Sequence, residues 1–201
     1  MLPRTRLDQE QVVRAAVQII DGEGSEALTL TALAQRIGVR TPSLYNHVAG
    51  LAGLRRELAL FSTRQLGGCL SRASVGKTTD DALLALAEAF RYYIREHPGL
   101  YGLTVQASRL HDPVDDEMAA AEADVVQVVL AVLGSYGLKG QPAVHAVRGL
   151  RSVVHGFATL EMAGGFGLPL DADESFRLLM QMLITGVRAL AGTTAGGVLA
   201  E

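Results

Sequence analysis

The sequence predicts an all-α protein, and three observations support that fold class. Apolar residues recur at spacings of three and four along most of the chain, as in amphipathic helices, and strand-like alternation is nearly absent. Ala, Leu and Val dominate a composition that is 49% hydrophobic and only 5% aromatic. Proline occurs only six times in 201 residues, so few helices need be interrupted. We therefore expect packed helices rather than a sheet.

The first predicted helix begins after Asp8, whose short carboxylate side chain is typical of an N-cap, and runs to about Asp21. Its apolar residues fall on one face, which we expect to be buried. That face consists of Val12, Ala16, Ile19 and Ile20. Gly22 and Gly24 follow and are expected to end the helix.

Residues 29–48 then have the layout of a helix-turn-helix. Thr29 is placed to cap a short helix with one apolar side. That side consists of Leu33, Ala34 and Ile37. Gly38 is expected to end this helix, because glycine adopts the left-handed conformation at little cost. After the turn, Thr41 is predicted to cap a second helix with Pro42 at its first position, where a missing N–H does no harm.

The second helix of this motif has a polar outer side. Leu44 and Val48 lie four residues apart and are expected to face inward. The residues left on the outer side are Arg40, Thr41, Ser43, Tyr45, Asn46 and His47. A short helix with such a hydrogen-bonding side is suited to the major groove of DNA.

The charge distribution agrees with a DNA-binding front half. Residues 27–56 contain no acidic residue but four arginines. These are Arg36, Arg40, Arg55 and Arg56. Residues 1–72 carry nine Lys+Arg against six Asp+Glu, a net of +3, whereas residues 73–201 carry nine against fifteen, a net of −6. A basic front attracts a polyphosphate, and an acidic remainder is kept away from it.

Six further helices complete the predicted fold. Their expected ranges are about 51–72, 80–97, 100–107, 115–133, 143–163 and 173–191. A glycine-rich loop at 164–167 joins the last two helices. We assign residues 1–50 to a helix-turn-helix domain, residues 51–72 to a connecting helix, and residues 73–201 to a second domain, a helical bundle.

What the sequence lacks excludes several classes of protein. Cys69 is the only cysteine, which excludes an intrachain disulfide and a zinc-type cluster and suits a reducing cytoplasm. No signal-peptide pattern is present, and the most apolar stretch, Val125–Leu133, is shorter than the ~20 residues that span a bilayer. Catalytic motifs such as Gly-x-Ser-x-Gly are missing, so a small all-helical enzyme is a remote alternative and no cofactor is expected.

Read with its neighbours, the helix-turn-helix resembles the DNA-binding domain of the TetR family of bacterial transcriptional repressors. The matching segment is residues 19–58, IIDGEGSEALTLTALAQRIGVRTPSLYNHVAGLAGLRREL. Residues 148–165 are similar to a subgroup whose C-terminal domain is named for a Trp-His-Gly motif, with Val154 in place of the tryptophan. The resemblance implies a homodimer that binds a palindromic operator and releases it when a small molecule binds.

Nine residues are expected to contact DNA: Thr29, Thr31, Arg40, Thr41, Ser43, Tyr45, Asn46, His47 and Arg55. Arginine pairs with guanine and asparagine with adenine, so we assign base reading to Arg40, Thr41 and Asn46. Tyr45 and His47 are expected to bond to phosphate oxygens, which fixes the register on the duplex. The two threonines of the first helix lie at a helix start, where backbone N–H groups favour a phosphate.

These assignments have structural alternatives. The polar residues could merely cap and solvate the helix, and Tyr45 could pack half-buried against the first helix of the motif. Arg4 and Arg6 are either an arm along the DNA backbone or a disordered tail. Members of the family often carry a phosphate-contacting lysine at the start of the fourth helix. Residues 48–53 contain no basic residue, and Arg55 and Arg56, one turn later, are expected to substitute for the lysine in part.

The second domain is expected to serve ligand binding and dimerisation. The apolar faces of its last two long helices predict a four-helix interface between two copies. The residues chosen for this interface are Gly149, Val153, Gly156, Leu160, Phe176, Leu179, Leu183 and Val187. The alternative is that these faces pack within the chain's own bundle.

A small-molecule pocket is expected between helices of the second domain. The candidate lining residues are Phe90, Tyr93, His97, Tyr101, Met118, His155, Phe157 and Met162. Each of them could instead be a core residue. Asp112, Asp115, Asp116 and Glu117 form an acidic cluster that fits the charged start of a helix better than a metal site.

Three hypotheses of function remain open from the sequence. The first is a homodimeric repressor that binds double-stranded DNA and is released by an unknown small-molecule effector. The second is a DNA-binding regulator or activator without an effector. The third is the all-helical enzyme. The sequence does not identify the effector, the operator or the regulated genes.

Overall fold

The computed structural model describes residues 7–107 and 115–195, and these residues form α-helices and connecting turns without a strand. The helices are α1 (Gln9–Glu23), α2 (Leu30–Ile37), α3 (Thr41–Leu44), α4 (Gly50–Ser74), α5 (Thr79–Glu96), α6 (Pro98–Ala107), α7 (Asp116–Gly134), α8 (Gly140–Met162) and α9 (Ala172–Ala195). A short 3₁₀ turn, Ser25–Ala27, follows α1. The all-α prediction is confirmed. Among the described helices, none combines the length and apolar character needed to cross a membrane.

The predicted helices are all present, and several of them, including α8 and α9, are longer than expected. Helix α8 begins at Gly140 rather than near residue 143, because Pro142 lies in its first turn, where its missing N–H costs no helical hydrogen bond. Helix α9 continues past residue 191 to Ala195. There the hydroxyls of Thr193 and Thr194 donate to backbone carbonyls three residues earlier, so the side chains remain compatible with the helix.

The packing divides the chain into two compact units. The first unit comprises Met1–Thr63 with Glu96–Met118, and the second comprises Arg64–Arg95 with Ala119–Glu201. Helix α6 therefore packs in the same unit as the helix-turn-helix, although the whole of residues 73–201 was assigned to a second domain. The domain boundaries remain a prediction, since compact packing does not test which parts fold alone.

The core of the first unit is built from the faces that the periodicity predicted. The α1 face is buried, and so are the inward residues of α2, α3 and α4. These buried residues are Val12, Ala16, Ile19, Ile20, Leu33, Leu44, Leu54 and Leu58. Asp8 caps α1 in a capping box with Gln11, in which the Gln11 N–H donates to Asp8 Oδ1 at 2.7 Å. The prediction of this cap is confirmed.

Helix α6 completes the first unit by packing against α1. The imidazole Nδ1 of His97 lies 3.1 Å from Asp21 Oδ2. Gly99 allows the two backbones to approach, because a Cβ at this position would lie 2.5 Å from Ile20 Cγ2. Leu100 is fully buried. The DNA-binding motif is thus supported by a helix that comes from much later in the chain.

The core of the second unit contains a buried arginine. The Arg91 guanidinium of α5 donates to both carboxylate oxygens of Glu161 in α8, at 2.9 and 2.5 Å, and lies 2.8 Å from Asp173 Oδ1 in α9. Its guanidinium carbon also lies 4.8 Å from the ring centre of Phe176 and 5.2 Å from that of Phe157. The hydrogen bonds to Glu161, and then that to Asp173, raise the pKa of Arg91 above its ordinary value. The two carboxylates and the two rings thus tie α5, α8 and α9 together at one point.

Candidate DNA-binding interface

The first half of the helix-turn-helix is built as the sequence predicted. Thr29 Oγ1 accepts a hydrogen bond from the Ala32 N–H at 3.0 Å, which satisfies a donor that the first turn of α2 leaves free. Gly38 adopts the left-handed conformation with φ of 76°, and its N–H returns to the Ala34 carbonyl at 2.9 Å. The cap and the glycine stop, two of the predictions, are confirmed.

The start of α3 differs from the prediction by one residue. The N-cap is Arg40, whereas Thr41 occupies the first helical position and Pro42 the second. The Ser43 N–H donates to the Arg40 carbonyl at 2.9 Å, so the first turn closes on Arg40, and Pro42 lacks only an N–H that the start of a helix leaves unpaired in any case. The prediction of Thr41 as cap is therefore wrong, and its hydroxyl is not used to cap the helix.

The residues after α3 continue its helical turn, so that α3 and this extension have one apolar and one polar side. The regular helix ends at Leu44, and the Val48 N–H still donates to the Leu44 carbonyl at 3.0 Å. Both of these residues are buried, as predicted. The opposite side carries the polar side chains, so α3 and its extension present one apolar and one hydrogen-bonding surface.

None of the nine predicted DNA-contacting residues is buried. Arg40, Tyr45 and Asn46 are exposed, and the other members of the α3 group are half-buried. The Tyr45 side chain is 62% exposed, which excludes half-buried packing against α2 as its main role. Thr29, Thr31 and Arg55 are also exposed. Which of these side chains touch bases or phosphates stays a prediction.

The four arginines of residues 27–56 differ in whether they form ion pairs with carboxylates of the chain. Arg36 Nη2 lies 2.5 Å from Glu23 Oε1, and Arg56 is bound by carboxylates. Arg40 and Arg55 have no carboxylate within ion-pair distance among residues 7–107 and 115–195. The positive charge that faces solvent near the motif is therefore concentrated on these two side chains.

Arg56 of α4 is bound by a cluster of three acidic side chains, and those of Asp115 and Glu117 connect it to the start of α7. Its Nε and Nη2 atoms donate to the two carboxylate oxygens of Asp115 at 2.7 and 2.6 Å. Glu57 accepts at 2.7 Å and Glu117 at 3.2 Å. Because its donors already bind carboxylates, Arg56 is less available to a phosphate than Arg55, and its share in phosphate binding stays a prediction.

The same cluster explains the start of α7. Asp115 Oδ1 accepts the Met118 N–H at 3.1 Å, so the carboxylate caps the helix as it binds Arg56. The hydrogen bonds from Arg56, with that from Met118, lower the Asp115 pKa from 3.8 to about 2. Among the described residues, no group of three or more His, Cys, Asp or Glu side chains is arranged to hold a metal ion. Asp112 lies outside the described residues, as do Arg4 and Arg6.

The predicted ligand residues are distributed over both units. His97, Tyr101 and Met118 belong to the first unit, and the other five belong to the second. Phe90, Tyr93 and Phe157 are buried, and His155 is half-buried. Met162 is 43% exposed at the last position of α8, and its assignment to the ligand site stays a prediction.

The second unit has an open groove of about 620 Å³ on the surface formed by α4 and α5. The groove is lined by Cys69, Arg72, Ala73, Lys77, Ala85, Glu88, Ala89 and Tyr92. None of the eight predicted ligand residues is among them. The location of a ligand site therefore stays a prediction.

Two residues predicted for the dimer interface are buried in their own unit. Phe176 is 2% exposed and lies edge-on to Phe157, with ring centres 5.1 Å apart, and Val187 is 5% exposed. Because the chain's own core covers both side chains, their assignment to a surface between copies is wrong. Of the other residues, Leu160 is exposed, and Gly149, Val153, Gly156, Leu179 and Leu183 are half-buried.

The ion pairs of Arg91 and Arg56 were not predicted from the sequence, although the position of Arg91 gave an indication of its partner. Arg91 lies four residues after Ala87 and three before Ile94, on the buried stripe of α5, and a charge at such a position indicates a buried partner. The pairing of Arg56 with Asp115 left no such signal, since 59 residues separate the two in sequence.

The geometry defines a class of protein. A helix-turn-helix with a short, solvent-exposed polar second helix, carried on a larger helical body, is the architecture of a DNA-binding transcriptional regulator. Comparison with known proteins agrees with this class and narrows it. The family model described as "Tetracyclin repressor-like, C-terminal domain" matches residues 83–183. The chain belongs to the TetR family of transcriptional regulators.

Individual relatives cover nearly the whole chain. An HTH-type transcriptional regulator of Mycobacterium tuberculosis is 38% identical over 96% of this chain and 86% of its own length. The HTH-type transcriptional regulator YobS of Bacillus subtilis is 33% identical over 93% of this chain and 96% of its own length. These names confirm the prediction of a regulator rather than an enzyme.

The fold is shared with solved structures. Apo ActR of Streptomyces coelicolor superposes with a TM-score of 0.70 at 22% identity, covering 94% of this chain and 99% of ActR. The N-terminal helix-turn-helix and the C-terminal helical body predicted from the sequence are confirmed by this agreement.

Proposed function

We propose that the chain is a homodimeric repressor that binds a palindromic operator through two copies of α3. A small molecule that binds in the second unit releases the operator. One observation carries the DNA-binding part: Leu44 and Val48 are buried while Arg40, Tyr45 and Asn46 face solvent. A second copy is required because the two half-sites of an operator lie about 34–36 Å apart, beyond the reach of one motif.

Exposed apolar residues on α8 and α9 support the second copy. Leu160, Leu178 and Met182 are large hydrophobic side chains that no part of the described chain covers fully. Such surfaces on a water-soluble domain are typical of interfaces between proteins. With the half-buried glycines of α8, they form a surface that suits close approach of helices from another copy.

The effector part of the proposal rests on the second unit and on a structural neighbour. A solved structure of ActR holds (S)-DNPA, so a protein of this fold binds a small molecule. For this chain we place the effector among the aromatic residues of α5 and α8, namely Phe90, Tyr93 and Phe157. The hydroxyl of Tyr93 donates to Gln65 Oε1 at 3.2 Å, which gives this apolar region a polar group.

The DNA-binding part can be tested without knowing the operator. The purified protein is used to select duplexes from a random-sequence library, and affinity for a selected duplex and a scrambled one is then measured over a range of salt concentrations. We expect a palindromic selected sequence and an affinity that falls steeply with salt. No salt-dependent affinity for any duplex would contradict the proposal.

The effector and the direction of regulation need separate measurements. A thermal-shift screen identifies small molecules that bind, and the operator affinity is remeasured with each of them. A coupling of ~1–3 kcal/mol would lower the affinity several-fold to about a hundredfold. Transcription from a promoter that carries the selected duplex should fall when the protein is added. A rise would identify an activator, and an affinity that no ligand alters would favour an effector-independent regulator.

A further inference from the structure

We propose that Asp115 is a positioning residue for DNA binding, which acts by holding Arg56 and with it the first turns of α4. Asp115 lies outside the helix-turn-helix, at the start of α7, and it makes no base or phosphate contact in this proposal. Its role is to fix the helix that follows α3. The proposal rests on the DNA-binding activity of the chain and adds a determinant that lies outside the helix-turn-helix.

The first argument is the direct link between α3 and α4. Only Ala49 separates Val48 from the start of α4, and the Gly50 N–H donates back to the Val48 carbonyl at 2.9 Å. Leu54 is fully buried in the core of the first unit. A displacement of the first turns of α4 would therefore move the end of the recognition segment with it.

The second argument is the strength and direction of the contact. Arg56 and Asp115 form a two-point contact through parallel hydrogen bonds of 2.7 and 2.6 Å, which fixes orientation as well as distance. The carboxylate is itself held, because Asp115 accepts the Met118 N–H. Asp115 is thus a fixed anchor rather than a loose surface carboxylate.

The third argument is a second contact between the same two helices. Two turns further along α4, the buried Thr63 hydroxyl lies 3.9 Å from the Met118 sulfur. The first turn of α7 therefore meets α4 at two places, Arg56 and Thr63. Only the contact at Arg56 lies close to the DNA-binding end of α4.

The chain offers a matched control for the test. Asp116 is the next residue, is exposed, and makes no hydrogen bond or ion pair with the rest of the described chain. Asp116→Asn removes the same charge as Asp115→Asn without releasing Arg56. The readout is the ratio of affinities for a duplex selected by the wild-type protein and a scrambled duplex, because a loss of folded protein alone would lower both affinities equally.

For Asp115→Asn we expect the operator affinity to fall about five- to tenfold, within the range of coupled side chains. The affinity for the scrambled duplex and its salt dependence should stay as in the wild type, because Glu57 and Glu117 still bind the Arg56 guanidinium and no phosphate contact is gained or lost. Asp116→Asn should leave the affinity ratio within about twofold of the wild type, as expected for surface substitutions.

Arg56→Gln completes the test. It should lower the affinity ratio at least as much as Asp115→Asn does, because it removes the contacts with Glu57 and Glu117 as well. The double variant should show little loss beyond that of Arg56→Gln, since Asp115 then has no guanidinium to hold. Unchanged ratios in Asp115→Asn and Arg56→Gln would overturn the proposal. The proposal would also be overturned if Arg56→Gln lowered the affinity for both duplexes equally while Asp115→Asn kept the wild-type affinities. In that case Arg56 would bind phosphate directly. A wild-type protein that binds no duplex would instead contradict the proposed function.

Discussion

Arginines that are equivalent in the sequence differ in whether neighbouring carboxylates already bind their guanidinium groups. Arg36 and Arg56 are neutralised by carboxylates, whereas Arg40 is exposed at the N-cap of α3. The sequence predicted the basic surface but not which side chains contribute to it. Ion pairs depend on which helices pack together, and local spacing contains no information on that.

Arg40→Ala should reduce affinity for the selected duplex by ~1–3 kcal/mol and relax the sequence preference, because the planar guanidinium is suited to read guanine. Tyr45→Phe serves as the comparison and should weaken selected and scrambled duplexes more evenly. Fluorescence anisotropy on both duplexes measures the two effects. Equal losses on both duplexes for Arg40→Ala would remove it from the residues that read bases.

Asp115 also gives a prediction on acid stability. Its folded-state pKa of about 2 lies below the ordinary value of 3.8, so the contact with Arg56 stabilises the fold above that value and is lost as the pH falls towards 2. The difference in free energy of unfolding between wild type and Asp115→Asn should therefore be constant above about pH 5 and shrink below about pH 4. Urea unfolding across this range tests the prediction. A difference that persists unchanged to low pH would assign it to another cause.

At the scale of single elements, helix positions were predictable and contacts between helices were not. The 3.6-residue period identified the buried face of α1, and the capping residues Asp8 and Thr29 follow from their short acceptor side chains. The cap of α3 was placed one residue too late, because the preference of Thr for the cap and of Pro for the first helical position favours Thr41, whereas the first turn closes on the Arg40 carbonyl. In the dimer prediction, Phe176 was misplaced because an apolar face does not reveal whether its own chain covers it.

The buried arginine gives a prediction for helix packing. Arg91→Ala should lower the free energy of unfolding by ~3–5 kcal/mol, because it leaves Glu161 without its partner in a largely buried site. Arg95→Ala is the matched control, since Arg95 lies on the same helix, is half exposed and approaches the same carboxylate only to 3.7 Å. Its effect should stay below about 1 kcal/mol. Chemical denaturation of both variants measures the difference, and equal losses would contradict the assignment.

For the whole molecule, the opposite charge of the two halves of the sequence and the helix-turn-helix were sufficient to predict the class of protein. The division into units was not predictable, because α6 joins the first unit from a position after α5. Periodicity assigns a helix its buried face, but it does not say against which part of the chain that face packs.

The assembly prediction belongs at this scale. Met182→Glu should convert a dimer to a monomer, because it places a charge on a surface that we assign to a second copy, and its 64% exposure means that the fold itself should be unaffected. Val75→Glu is the control, since Val75 is equally apolar and exposed but lies outside α8 and α9. Sedimentation at micromolar concentration reports the result. A monomeric wild-type protein, or a Met182→Glu dimer, would contradict the assigned surface.

The packing of Gly99 against Ile20 has a consequence for protein engineering and for gene recombination. A fragment that stops within α4 would lack α6 and would expose the surface of α1 on which α6 packs, so we expect it to be less stable than the intact first unit. A chimaera that joins this N-terminal segment to the body of another regulator would have to import a compatible glycine-bearing helix as well. We therefore expect an exchange of DNA-binding segments between such proteins to depend also on a glycine that lies outside the helix-turn-helix.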